Sequence, residues 1–80
     1  VVPHDQLMDE ARRWATMILE CAPLSIRASK DVVYQSLSIG SLKESMEIPY
    51  DSVKAMNTGE DFVEGPLAFS EKRKPNWKGK

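Results

Sequence analysis

Eighty residues carrying 41% apolar and 29% charged side chains allow one small domain with a thin core. The net charge of −1 hides an uneven distribution: residues 1–69 hold six basic and eleven acidic side chains, residues 70–80 five basic and one acidic. A domain-wide basic face for nucleic acid is therefore excluded, and any anion contact belongs to the last eleven residues. A single cysteine, Cys21, rules out an internal disulfide and a thiolate metal cluster. No apolar stretch approaches the roughly 18 residues of a membrane span, and no signal peptide is read.

The chain opens Val1-Val2-Pro3 without an initiator Met, which reads like the end of a strand running into a helix. A strand needs a partner for its backbone groups. The expectation is a chain cut from a larger protein, with a processed mature terminus as the plainer alternative. From Asp5 to Ala22, Leu7, Ala11, Trp14 or Ala15, Ile18 and Ala22 recur at helical spacing, between the boundary signals Pro3 and Pro23. A second helix is predicted from Pro23, with Leu24, Ala28, Val32 and Ser36 on one stripe and Gly40 as its stop.

Ser41 to Asn57 give a third helical pattern through Leu42, Met46, Val53 and Met56, with Pro49 placed to kink or split it. Thr58 or Gly59 before Glu60-Asp61 is a helix start with acids on the positive end of the dipole. Gly65-Pro66 is expected to break that turn and begin another, Pro75 to stop any helix, and Asn76 to Lys80 to be extended. The fold class is all-α, a small bundle of three to five helices.

Catalytic candidates are few. His4, the only histidine, lacks converging partners and reads as a solvated loop residue. Cys21, among Leu19, Ala22 and Leu24, reads as a small hydrophobe. The serines have no nucleophile elbow, and no Gly-rich phosphate loop is present. Glu60, Asp61 and Glu64 suggest paired carboxylates, yet helix-start charge accounts for them more simply. Phe69, Lys72 and Arg73 stand three and four residues apart, so a helix puts the ring and both cations on neighbouring parts of one face. Such a face can stack a flat base and neutralise a phosphate. The rival account is an ordinary basic helix end with an anchoring Phe, which composition alone favours.

The ending EDFVEGPLAFSEKRKPNWKGK resembles the C-terminus of the enoyl-CoA hydratase/isomerase (crotonase) family, in Glu60-Asp61, Glu64-Gly65, Ala68-Phe69, Glu71-Lys72-Arg73, Pro75 and Trp77. Val1-Val2-Pro3 is similar to that family's last core strand, Leu7 to Ile18 to the following helix, and Ala22 to Lys30 to the next helix start. The likeness spans all 80 residues, and within the family it extends to carnitinyl-CoA dehydratases as well as general enoyl-CoA hydratases.

The resemblance implies that residues 1–80 are the C-terminal helical region of an enzyme hydrating 2-enoyl-CoA thioesters. The catalytic ββα core lies outside this region, so no catalytic residue and no metal ligand is expected, and the region alone is expected to be inactive. It implies contact with the remainder of its own core, assembly into trimers or hexamers, and acyl-CoA as substrate with no separate cofactor. Neither nucleic acid nor membrane is an implied partner; the implied location is the cytoplasm, or the mitochondrial matrix in a eukaryote. By the same resemblance Phe69 lies beside the adenine of CoA and Lys72 near its ribose phosphate, whereas Arg73 pairs with CoA or with an acid. Pro49 interrupts a helix usually continuous in the family, and bulky Trp14 on a face usually rich in small residues marks a contact with the core. The alternative is an independent helical interaction module with a basic anion-binding tail.

Overall fold

A computed structural model describes all residues, Val1–Lys80. A single 3₁₀ turn, His4–Gln6, leads into α1 (Leu7–Leu19), followed by α2 (Pro23–Ser36), α3 (Leu42–Glu47), α4 (Asp51–Thr58) and α5 (Glu60–Ser70). Val1 to Pro3 lie outside any regular element, and Pro3 is extended at φ −56° and ψ 148°. The strand expected there does not form, because the chain offers no second strand to complete its hydrogen bonds.

Local chemistry sets the helix ends. Pro23 occupies the first turn of α2 after an extended Ala22, where its missing N–H costs nothing. Ser41 starts α3, its hydroxyl accepting from the Glu44 amide. Pro49 splits the third helical pattern: α3 stops at Glu47, Ile48 and Tyr50 are extended, and α4 starts at Asp51. Tyr50 turns back into this corner, buried, and its hydroxyl donates to the Ser45 carbonyl at 2.7 Å.

α5 departs from expectation. It runs unbroken from Glu60 to Ser70 with Pro66 inside it. Proline usually pushes the preceding residue out of helical conformation through a clash with its Cβ. Gly65 has no Cβ, so the helix passes through, losing only the bond that the Pro66 N–H would have given the Phe62 carbonyl.

α2 packs on α4 and α4 on α5. One polar joint ties the first pair: Asp31 accepts from the Ser52 hydroxyl at 2.6 Å and from the Gln35 amide at 2.7 Å. Those bonds, Ser52 first, hold the Asp31 carboxyl below the ordinary carboxylate range. The core is thin. Only Ala28, Tyr50, Ala68, Ser45 and Asp61 are buried, and none of them belongs to α1.

The shape follows. A compact chain of this length would have a radius of gyration of about 12 Å; this one measures 16.2 Å and extends 44 × 36 × 18 Å. It is a slab. The stripe read from sequence on α1 points outward, with Leu7, Trp14 and Ile18 exposed, and Leu19 beside it is exposed as well. The Trp14 indole donates to Glu10 at 3.0 Å beneath the Arg13 guanidinium, and the ring shares an open cleft with Val1 and Val2. No helix is long and apolar enough to cross a membrane.

Candidate functional site

The C-terminal segment is not a loose arm. Asp61, 4% exposed, sits in the first turn of α5 and accepts from the backbone amides of Lys78 at 2.8 Å and Gly79 at 2.7 Å. In return its own amide donates to the Lys80 carbonyl at 3.0 Å. A helix start leaves its first N–H groups without intrahelical partners, and here the returning chain supplies one. Gly79 makes the turn with φ +73°, a conformation costly for any residue with a Cβ.

Gly59 lets the tail approach: a Cβ there would lie 3.1 Å from the Lys80 carbonyl carbon and 2.8 Å from the Leu24 Cδ1. Trp77 lies over Gly65, where a Cβ would meet the ring at 3.3 Å. Its indole N–H donates to the Glu20 carbonyl at 2.9 Å, so the tail straps α5 to the end of α1. Leu19, Glu20, Lys74, Pro75 and Trp77 line an open cleft of about 470 Å³ at this junction.

At the other end of α5 the chain closes with two bonds: Lys72 N–H to the Phe69 carbonyl at 3.2 Å and Arg73 N–H to the Ala68 carbonyl at 3.1 Å. This is the Schellman pattern, which requires a left-handed residue and usually takes glycine. Here that residue is Lys72, at φ +55°. A side chain in this conformation costs about 1 kcal/mol or more, so something must hold it.

Glu64 does so. Its carboxylate receives both terminal nitrogens of Arg73 and the Asn76 amide at 3.0 Å, while Arg73 Nε donates to Glu71 at 2.6 Å. Arg73 is therefore committed to acids. The Arg73 fork, and next the Asn76 amide, lower the Glu64 pKa from 4.5 to about 2; the same pairing raises that of Arg73.

A depressed folded-state pKa contributes stability that is complete above the unfolded value and is lost as pH falls through the folded one. The Asn76 amide and Arg73 side-chain NMR signals are thus expected to hold from pH 7 to about 5. They should then give way between about pH 4.5 and the Glu64 value of about 2. A change centred near neutrality would count against this pairing.

Phe69, near the end of α5, and Lys72, in the turn just past it, are both open to solvent, the ring 87% exposed. Lys72 forms no ion pair, whereas Lys78 reaches Glu60 at 3.3 Å. The helical face expected for Phe69, Lys72 and Arg73 does not form, since α5 ends at Ser70 and Lys72 is left-handed, and the roles of Asp61 and Glu64 were not legible in the spacing. Both acids read as helix-start charge, yet Asp61 binds tail amides and Glu64 binds Arg73. The Glu64–Arg73 separation of nine residues is no helical neighbour spacing, so periodicity gives no signal for it. His4 and Cys21 are exposed and neither is joined to other catalytic groups. No three His, Cys, Asp or Glu side chains gather where a metal ion could be held.

The chain is an all-α slab of five helices whose returning tail is bonded to the first turn of α5. Comparison with known proteins gives its kin. The enoyl-CoA hydratase/isomerase family model matches residues 1–80, and the chain belongs to that family. It is 40% identical over 84 residues to a carnitinyl-CoA dehydratase of Proteus mirabilis (strain HI4320), covering 100% of this chain and 32% of the relative. A carnitinyl-CoA dehydratase of Escherichia coli (strain K12) is 39% identical with the same coverage. The fold superposes with TM-score 0.91 and 33% identity on an enoyl-CoA hydratase/isomerase from Mycobacterium paratuberculosis, over 99% of this chain and 31% of that one. The chain thus spans about a third of the length of the relatives it matches.

Proposed function

We propose that the chain is the C-terminal helical region of an enoyl-CoA hydratase-like enzyme acting on acyl-CoA thioesters by reversible hydration of a 2-enoyl-CoA. In this reading it supports assembly of the subunits and contacts the nucleotide end of CoA. Alone, without the rest of the enzyme, it is inactive. The observation that supports the nucleotide role is the exposed Phe69 ring near the end of α5 with Lys72, in no ion pair, three residues on. A flat apolar face next to a free ammonium suits an adenine and a phosphate. The commitment of Arg73 to Glu64 and Glu71, and of Lys78 to Glu60, weighs against a free polycationic arm. The outward apolar stripe of α1 and the flat shape support a role in contact with other parts of the enzyme.

The test uses an assembled enzyme containing this chain and a matched pair of thioesters, one on CoA and one on pantetheine, which lacks the nucleotide. Replacing Phe69 and Lys72 together by alanine is expected to raise KM for the acyl-CoA by about tenfold or more, the loss of one stacking contact and one charge. KM for the acyl-pantetheine and kcat for both should stay near the parent values. Equal damage to the two thioesters would overturn the nucleotide assignment.

A further inference from the structure

We infer that Glu64 is a positioning residue for this corner: by gripping Arg73 and the Asn76 amide, it keeps Lys72 left-handed and so sets the direction in which the Lys72 side chain leaves the backbone just past Phe69. The inference rests on the nucleotide reading above for its purpose, but not for its geometry. Phe69 belongs to α5 and leaves the helix in a direction the helix sets. Lys72 lies just past the helix, and the direction of its Cβ depends on its own φ. Moving φ from +55° to the ordinary helical value would swing that bond by roughly 120°. The side chain would then leave the backbone toward another side of the chain.

Lysine does not hold a left-handed φ by itself. The residues that follow hold it. Arg73 must sit where its amide meets Ala68 and its guanidinium meets Glu64, and Asn76 must bring its amide to the same carboxylate. Glu64 is one and a half turns back on α5, so a rigid element anchors both contacts. A glycine in place of Lys72 would make the turn without help but would carry no charge.

The test is made on the full 80-residue chain, labelled for NMR. Glu64→Gln keeps the size of the side chain and removes its charge. It is expected to move the Lys72 amide–Hα coupling away from the left-handed value and to cut exchange protection of the Arg73 and Asn76 amides about tenfold, the loss of one charge-assisted bond. The Tyr50 and Ser52 signals should not move. Adding Lys72→Gly to Glu64→Gln is expected to restore Arg73 protection, which general loosening of the fold would not allow. Arg73→Lys, which keeps the charge and loses the planar fork, should give the same signature in milder form and serves if Glu64→Gln does not fold.

An unchanged Lys72 coupling and unchanged protection in Glu64→Gln would overturn the inference. CoA added to the parent chain should shift Phe69 and Lys72 signals together, and in Glu64→Gln the Lys72 response should be lost first. A parent chain indifferent to CoA whose turn still opens in Glu64→Gln supports the clamp, and the paired thioesters on the assembled enzyme then decide the nucleotide reading separately.

Discussion

Asp61→Ala is expected to release the last three residues and lower stability by about 3 kcal/mol, through two hydrogen bonds to a charged group. The Asp61 carboxylate is buried, and the tail amides of Lys78 and Gly79 are within 2.8 Å of it. Without it those amides return to water, and the Lys80 carbonyl lifts from the Asp61 amide. Loss extends along the tail. Trp77 loosens from Gly65 and gives up the Glu20 carbonyl, so α1 loses a tether to the rest of the slab.

A chain of this size is stable by only about 4–12 kcal/mol, so the change is a large share. Asp61→Asn, which keeps one acceptor oxygen, should cost about half as much. Urea unfolding gives the magnitude, and Trp77 emission in a Trp14→Phe background reports the tail directly. Lys78 and Gly79 amides as protected in Asp61→Ala as in the parent would sink this account.

The legible parts were those that depend on neighbours in sequence. Helical period and the two prolines at 23 and 49 predicted α1, α2 and the split between α3 and α4, because caps and breaks are local. The Gly65-Pro66 step was misread because proline alone signals a break, while the tolerance comes from the glycine before it. Helical spacing did not extend to Lys72, because α5 ends at Ser70 and Lys72 turns left-handed. Nor did it extend to the tail. Asp61 meets residues seventeen and eighteen positions away, and Trp77 meets one fifty-seven away. Such pairings depend on how the chain returns through space, and no period encodes them. Trp14 was legible as a misfit on its face; it remains half open to solvent, as a side chain suited to a surface beyond this chain would be.

Gly59→Ala is the second large prediction, expected to cost about 1–3 kcal/mol by overpacking and to loosen the same tail residues. The reason is space, not backbone angle: Gly59 has φ −80° and ψ 162°, which any residue can adopt. An added Cβ would lie 2.8 Å from the Leu24 Cδ1, 3.1 Å from the Lys80 carbonyl carbon and 3.2 Å from the Ala55 carbonyl oxygen. Leu24 can rotate its methyl away. The other two atoms are backbone, so either the α4–α5 junction opens or Lys80 leaves.

The last three residues are held by two amides, one carbonyl and the exposed Lys78–Glu60 pair, whereas the junction is held by helix packing, so the tail end should yield. Gly59→Ala and Asp61→Ala then remove the same contacts, and the double variant should lose clearly less than the sum of the two single losses. Gly40 supplies the control, since nothing lies within 4 Å of a Cβ built there. Gly40→Ala is expected to be neutral or stabilising by up to about 1 kcal/mol, through a less flexible unfolded chain. Additive losses for the Gly59 and Asp61 variants, or a Gly59→Ala chain whose Lys78 and Gly79 amides stay protected, would mean that the glycine serves the helix junction and not the returning tail.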